Sequence, residues 1–361
     1  MGSIDGLIRP HLLDIQTYEP IDPPELLAER AGIPQDRIIK LNGNENPFGS
    51  SPRAAAAVAG VPLHVYPDPL QRGMRRALSE YTGLEQDHII VGAGSDELID
   101  LLFRLFVSPG DAIIDSDPTF GMYGFCARVA GAEIILAPRD GRFDIDTGRL
   151  GEAAAKPNAK IIFVSSPNNP TGNLVSQDQT RRLLDTGLVV VVDEAYFEFS
   201  GETVAGLVSE HENLVVLRTM SKWAGLAGLR VGYGLMSPKL VQHIIDIKSP
   251  YNVNVAAEAA LIASLEDADI LLERVRGIVA ERERMFGLLQ DIRGVKPWPS
   301  SGNFILCSFE GGKAGAVYEG LARRGIFVRA FSSKRLEGTF RITVGTPQET
   351  DAVIAAIQDL V

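Results

Sequence analysis

Two ionisable side chains of opposite charge, Asp193 and Lys222, each follow a short apolar run in this 361-residue chain. Asp193 directly follows residues 188–192, and Lys222 comes shortly after residues 214–217. A charged group beside a buried strand is costly unless it meets a counter-charge or a hydrogen-bond partner. The pattern therefore favours a shared site over two solvated surface charges.

Neighbouring predicted loops carry groups that suit an anion and an aromatic ring. Segment 91–97 passes through glycines into a helix with Ser95 at the predicted N-cap, and N–H groups at such a helix start bind phosphate. Two prolines in segment 165–172 fix the direction of the Asn169 amide. Taken singly, segment 91–97 fits simple helix capping better than phosphate binding, and segment 165–172 fits a plain turn as well as a binding loop. Phe120 on its own is typical of a core aromatic. The segment after residue 217 adds donors at Thr219, Ser221 and Arg230.

The sequence contains no complete motif for binding a nucleotide or a metal ion. A dinucleotide fingerprint fails because Glu97 occupies the position of its third glycine. Segment 189–195 resembles the magnesium-binding strand of a nucleotide hydrolase, but the phosphate-binding loop that such an enzyme requires is missing. The two cysteines, Cys126 and Cys307, match no metal or redox spacing, so we expect no metal site and a reducing compartment.

The elements that must position these groups alternate between strand and helix from about residue 75 to 235. Alternation of this kind predicts an α/β fold with a mainly parallel seven-stranded sheet between helices. In such a sheet, ligands bind beyond the carboxyl ends of the strands. The predicted strands are residues 89–91, 112–114, 133–136, 161–164, 188–192, 214–217 and 231–235.

The C-terminal part of the sequence, together with the N-terminal segment, predicts a smaller α+β domain. Residues 256–289 are typical of one long helix, followed by strands at 304–309, 326–328 and 340–344 and a helix at 313–323. An N-terminal helix is predicted at 24–31. We therefore expect a large domain at residues 41–255 and a small domain made of residues 1–40 plus 256–361.

Charge and hydropathy narrow the classes of partner. Lys plus Arg number 35 against 46 Asp plus Glu, which gives a net charge of −11 and disfavours nucleic acid and anionic membranes. Neither a signal-peptide core nor an apolar run of membrane-spanning length is found, so a cytoplasmic location is expected.

The motifs together resemble those of the fold-type I pyridoxal-phosphate-dependent aminotransferases over nearly the whole chain, and within that family those of the histidinol-phosphate aminotransferases. The cofactor needs a lysine, an acid for its ring nitrogen, a donor for its phenolic oxygen and binders for its phosphate. The motifs that carry the resemblance are LNGNENPFG (41–49), YPD (66–68), GSDE (94–97), SPNNPTG (166–172), DEAY (193–196), SK (221–222), GLAGLRVGY (225–233) and FRITVGT (340–346).

The resemblance implies a role for individual residues. Lys222 would form the Schiff base with pyridoxal 5′-phosphate, and Asp193 would pair with the ring nitrogen. Asn169 and Tyr196 would bind the phenolic oxygen while Phe120, where the family commonly has tyrosine, stacks on the ring. The phosphate would be held by Gly94, Ser95, Asp96, Thr219, Ser221, Arg230 and, from the other subunit of a homodimer, Tyr66.

The implied reaction is amino transfer between histidinol phosphate and 2-oxoglutarate or glutamate in histidine biosynthesis. Arginine suits both carboxylate and phosphate, so Arg341 and Arg329 are the candidate substrate ligands, with Tyr18 and Asn46 closing the pocket. An aromatic aminotransferase or a threonine-phosphate decarboxylase of the same fold would use nearly the same cofactor residues. A cofactor-binding transcriptional regulator would need an attached DNA-binding module, for which the N-terminal segment is too short.

Overall fold

The computed structural model describes residues 4–361. Its strands, numbered in chain order, are short and occur throughout the chain. They are β1 (Ile39–Lys40), β2 (Ile89–Gly92), β3 (Ala112–Asp115), β4 (Glu133–Leu136), β5 (Ala159–Ser165), β6 (Val189–Asp193), β7 (Leu214–Thr219), β8 (Gly232–Met236), β9 (Val295–Pro297), β10 (Phe304–Phe309), β11 (Ile326–Phe327), β12 (Arg329–Ala330) and β13 (Thr339–Thr343).

Helices alternate with most of these strands. They are α1 (Pro24–Ala31), α2 (Pro52–Ala59), α3 (Arg72–Thr82), α4 (Ser95–Phe106), α5 (Met122–Ala130), α6 (Thr147–Ala154), α7 (Gln177–Leu184), α8 (Phe197–Ser200), α9 (Pro238–Ile247), α10 (Val255–Glu266), α11 (Ala268–Gln290), α12 (Ala314–Arg323) and α13 (Pro347–Leu360).

A seven-stranded sheet in the order β2-β8-β7-β6-β5-β3-β4 forms the centre of the molecule. Strands β7, β6, β5, β3 and β4 run parallel, and β8 is antiparallel to both of its neighbours. The apolar run of β6 is buried because helices cover both faces of the sheet. The predicted α/β fold with a mainly parallel seven-stranded sheet is confirmed.

A second, antiparallel sheet in the order β12-β13-β10-β9 packs with α11, α12 and α13 around its own apolar cluster. The N-terminal part of the chain joins this region because β1 pairs with β11 and the Thr343 amide donates to the Leu41 carbonyl at 2.8 Å. Apolar residues of α10 and of the first half of α11 pack instead with the large sheet. Within residues 4–361, no helix is both long and apolar enough to cross a membrane.

Two local predictions were wrong, and three short strands were missed. The long helix predicted at 256–289 is broken at Asp267, whose backbone leaves the helical region while its carboxylate accepts a 3.0 Å hydrogen bond from Arg53 on α2. Ser95 is the first residue of α4, because Gly94 takes the N-cap position with a positive φ that favours glycine. Strands β1, β9 and β12 were not predicted, since two or three residues carry no periodic signal.

Candidate active site

A cavity of about 430 Å³ lies beyond the carboxyl ends of β5, β6 and β7. The parallel register brings Asp193 beside Ser165 on one side and Leu217 on the other, so the loops after these strands open on the same edge. Most of the residues singled out in the sequence line this cavity. They are Tyr18, Ser95, Asp96, Phe120, Asn169, Asp193, Tyr196, Thr219, Ser221, Lys222, Arg230 and Arg341.

The Lys222 amine points into the cavity and donates a 3.0 Å hydrogen bond to the Gly43 carbonyl oxygen. Burial, with a smaller contribution from the nearby Arg341 guanidinium, lowers the pKa of this amine to about 8. About a tenth of the amine is therefore neutral at pH 7, far more than for an ordinary lysine, and the neutral form is the one that a nucleophilic or proton-accepting amine requires.

Asp193 lies at the bottom of the cavity with only 3% of its surface exposed. One carboxylate oxygen accepts a 2.6 Å hydrogen bond from the Tyr123 hydroxyl, and the other accepts one of 3.0 Å from the Ala195 amide. Burial raises the pKa of this carboxyl to about 6, and these two donors act against that rise. Within residues 4–361 no lysine, arginine or histidine forms a salt bridge with it, which leaves a place for a cationic N–H from a bound molecule.

Two side chains above the carboxylate present hydrogen-bond donors to the cavity. The Tyr196 hydroxyl accepts a 2.9 Å hydrogen bond from the Asn44 amide, so its own proton is free to be donated. The Asn169 carbonyl oxygen accepts a 2.6 Å bond from Arg341, which turns the amide nitrogen of Asn169 away from the arginine. Both side chains can therefore donate a hydrogen bond to an oxygen atom of a ligand.

Anion-binding groups gather at the N-terminus of α4. The Arg230 guanidinium pairs with Asp96 at 2.7 Å, and the Thr219 and Ser221 hydroxyls lie 2.9 Å apart. Close approach of the chain here depends on glycine: a Cβ on Gly232 would lie 2.5 Å from the Ser95 amide nitrogen. The helix dipole, two hydroxyls and a guanidinium together form a phosphate-sized cradle.

The opposite side of the cavity comes from distant parts of the chain. Arg341 on β13 is buried and donates to the Asn42 carbonyl oxygen at 2.7 Å as well as to Asn169. Its Nε has no partner among the described residues, and burial lowers the pKa of its guanidinium to about 10. The Tyr18 ring meets Phe120 edge-on, with 6.2 Å between ring centroids.

Four predicted site residues do not line the cavity. Gly94 lies immediately behind it, where a Cβ would come within 2.9 Å of Arg230 Nη2. Asn46 is turned away and donates to the Trp223 carbonyl oxygen, and Arg329 donates to the carbonyl oxygens of Glu19 and Pro20 beside an adjoining cavity. Tyr66 is 76% exposed and stacks on Tyr251.

Sequence reasoning did not identify Tyr123 or the Gly43 carbonyl as contacts of the two ionisable groups. Tyr123 is separated from Asp193 by 70 residues, and Gly43 from Lys222 by 179. The available signal for Gly43 and Asn44 was the density of Asn, Gly and Pro in segment 41–47. No local pattern marks Tyr123, which lies on the first turn of α5.

Comparison with known proteins agrees with this geometry. Residues 36–357 match the family model of aminotransferase class I and II. The chain belongs to this family. It is 47% identical to the histidinol-phosphate aminotransferase of Roseiflexus castenholzii, covering 99% of each chain. It is 44% identical to the chloroplastic histidinol-phosphate aminotransferase of Nicotiana tabacum, covering 98% of this chain and 86% of the other.

A solved structure has the same fold. It is histidinol-phosphate aminotransferase from Sinorhizobium meliloti in complex with pyridoxal-5′-phosphate, with a TM-score of 0.89 and 26% identity. The match covers 98% of this chain and 97% of that one. The predicted family is thereby confirmed.

Proposed function

We propose that this class I and II aminotransferase binds pyridoxal 5′-phosphate and transfers an amino group between histidinol phosphate and 2-oxoglutarate in histidine biosynthesis. The observation that carries the proposal is that the half-buried Lys222 and the buried Asp193, which has no cationic partner among residues 4–361, face the same cavity beside a group of anion binders. The two relatives named above, 47% and 44% identical to this chain, support the choice of substrate.

The residues present fit the cofactor. The Lys222 amine is available for covalent attachment, and Asp193 offers a carboxylate to a protonated ring nitrogen. Tyr196 and Asn169 donate to the phenolic oxygen, and Phe120 covers the ring face. The phosphate group would lie against Ser95, Thr219, Ser221 and Arg230, with Asp96 beside them and Gly94 directly behind. When bound, the cofactor acts as an electron sink for a carbanion at the substrate α-carbon.

Lys222 moves the proton in this account. With cofactor and substrate bound, its free amine would take the proton from the substrate α-carbon and would return it to the cofactor carbon attached to the transferred nitrogen. A pKa of about 8 suits this role, because an amine with its ordinary value of 10.5 would be almost fully protonated near neutral pH. Asp193 assists by keeping the ring nitrogen protonated.

Substrate recognition is assigned to the outer side of the cavity. Arg341 can present its guanidinium to the phosphate of one substrate and the carboxylate of the other. Tyr18 closes the cavity against Phe120. Arg329 would join when the adjoining cavity is occupied. Asn46 acts indirectly in this account, by bracing the Trp223 carbonyl beside Lys222.

A homodimer is part of the proposal. Tyr66 is exposed and does not line the cavity of its own chain, and it would reach the phosphate of a second copy. Exposed apolar side chains accompany it at Leu63, Val65, Leu70 and Tyr251, as a subunit interface requires.

Domain division and location complete the proposal. A large domain at 41–255 carries the cofactor residues, and a small domain of residues 1–40 plus 256–361 carries Arg341, although α10 and the first half of α11 pack on the large domain. A cytoplasmic location is supported by Cys126 and Cys307, which are both buried free thiols.

A half-reaction screen tests the function. The cofactor-loaded protein is mixed with one amino donor at a time, namely histidinol phosphate, glutamate, phenylalanine, tyrosine or phosphothreonine. Visible absorbance and products are then followed. Histidinol phosphate and glutamate should bleach the cofactor band, and 2-oxoglutarate should restore it, as ping-pong kinetics demand. Faster bleaching by phenylalanine or tyrosine would identify an aromatic aminotransferase, and carbon dioxide release from phosphothreonine a decarboxylase.

A further inference from the structure

Tyr123 forms a buried contact with the carboxylate that the sequence assigns to the cofactor ring. The residue lies on the first turn of α5 and is fully buried. Its hydroxyl donates to Asp193 Oδ2 at 2.6 Å, a length typical of a hydrogen bond to a charged oxygen. It does not line the cavity, so it contacts the site only through other residues.

The Tyr123 ring is held on two sides. It stacks on Phe163 of β5 with 4.6 Å between centroids, and it meets Phe120 edge-on at 5.6 Å. Phe120 covers the cavity, so one side chain supports both the carboxylate below the site and the aromatic ring beside it. The hydroxyl cannot swing away from Asp193 without disturbing this packing.

The surroundings of Asp193 make this hydroxyl significant. Within residues 4–361, it is the one side-chain donor to the carboxylate, and the other donor is the Ala195 amide. The charged groups that act on Asp193 from α4 and from its own loop are Asp96 and Glu194, both of which disfavour its ionised form. Asp115 on β3 acts in the same direction on Tyr123.

The Tyr123 proton is held firmly in this environment. Burial, strengthened by the charge of Asp193, raises the pKa of the phenol well above its ordinary value. The hydroxyl therefore remains a donor over the whole working range of the protein. A donor to the charged form of an acid favours that form, so Tyr123 acts against the effect of burial on Asp193.

We propose that Tyr123 is a positioning residue whose hydroxyl keeps the Asp193 carboxylate ionised and directed at the ring nitrogen of the cofactor. The inference rests on the proposed function. Without the hydroxyl, the proton shared between Asp193 and the ring nitrogen shifts toward Asp193. The ring then becomes less positive and stabilises the α-carbanion less.

The test removes the hydroxyl and keeps the ring, in Tyr123→Phe. The pH titration of the loaded protein's visible absorbance is the main readout. Its midpoint should move up by about 1 pH unit, because a less positive ring holds the proton on the Lys222 nitrogen more firmly. We expect kcat to fall about tenfold and the KM for histidinol phosphate to stay within about twofold. Tyr233→Phe is the matched control, since Tyr233 is equally buried but does not contact Asp193.

A double variant separates positioning from simple packing. In an Asp193→Asn background the amide cannot ionise, so Tyr123→Phe should cause no further shift of the midpoint. An unmoved midpoint in the single variant would overturn the inference, and so would equal shifts in both backgrounds. If the wild-type protein shows no cofactor band at all, the proposed function fails and the inference fails with it. A wild-type band with an unmoved Tyr123→Phe midpoint overturns the inference alone.

Discussion

The two sides of the cavity are built in different ways. The inner wall, which we define as Asp193, Thr219, Ser221 and Lys222, comes from adjacent parallel strands and the loops after them. The outer wall, defined as Tyr18, Asn44 and Arg341, is assembled from segments up to 299 residues apart that are joined by side-chain hydrogen bonds. The register between strands therefore fixes the positions of the inner-wall residues, and tertiary packing fixes those of the outer-wall residues.

Burial distinguishes only the rim of the outer wall. Asn44 and Arg341 are as buried as the residues at the ends of the strands, whereas 37% of Tyr18 is exposed to solvent. Behind the inner wall, the buried ion pair of Arg218 with Glu194, at 2.8 Å, links β7 to the loop after β6. The comparison assigns the chemistry to the wall that strand register fixes and substrate selection to the wall that tertiary contacts assemble.

The largest effect should come from the inner wall. Lys222→Arg keeps a positive charge but cannot provide a neutral amine near neutral pH, so kcat should fall by at least about 10³-fold. Stopped assays with histidinol phosphate and 2-oxoglutarate measure the loss, and the loaded variant should lack the wild-type visible band. Residual transamination within tenfold of wild type would show that the two walls do not divide the work as proposed.

On the outer wall, Arg341→Gln should act on binding. Loss of a buried charged donor should raise the KM for histidinol phosphate by about 10- to 100-fold, with a smaller change in kcat. Arg329→Gln is the matched control, because two backbone carbonyls already hold the Arg329 guanidinium. We expect this variant to raise the KM for histidinol phosphate by less than about fivefold. Steady-state kinetics with both substrates measure KM and kcat for the two variants. Equal effects of the two variants would contradict the central place given to Arg341.

The pH dependence of stability sharpens the contrast without any assay of activity. Between pH 8 and 10.5, the folded Lys222 amine binds fewer protons than the unfolded one, so the stability of the cofactor-free protein should rise with pH in this window. Relative to Lys222→Met, the wild-type protein should gain about 2–3 kcal/mol of stability across this window, which corresponds to a rise in Tm of roughly 2–4 °C. Parallel Tm profiles for the two proteins would show that burial does not lower the pKa of this amine.

The smallest effect is expected at the exposed edge of the outer wall. Tyr18→Leu removes the edge-on contact with Phe120 and should raise the KM about threefold, with kcat unchanged. Tyr318→Leu, on the remote helix α12, offers a control for loss of a tyrosine. A large fall in kcat would show that Tyr18 takes part in the reaction step and not only in substrate binding.

The contrast between the walls also explains what the sequence could predict. The seven strands and the loops after them carry strong local signals, so the sheet and the inner wall follow from residue type and spacing. Arg341 was found through its motif, but its contacts with Asn42 and Asn169 depend on how the two sheets pack. The Tyr123 bond to Asp193 and the break at Asp267 were missed for the same reason, since both depend on a partner far along the chain.

The central claim is that Lys222 carries the cofactor, and peptide mapping tests it most directly. The purified protein is loaded with pyridoxal 5′-phosphate, reduced with borohydride to make the attachment permanent, digested and analysed by mass spectrometry. The account predicts the added mass of the reduced cofactor on the peptide containing Lys222. Recovery of that mass on another lysine, or on none, would contradict it.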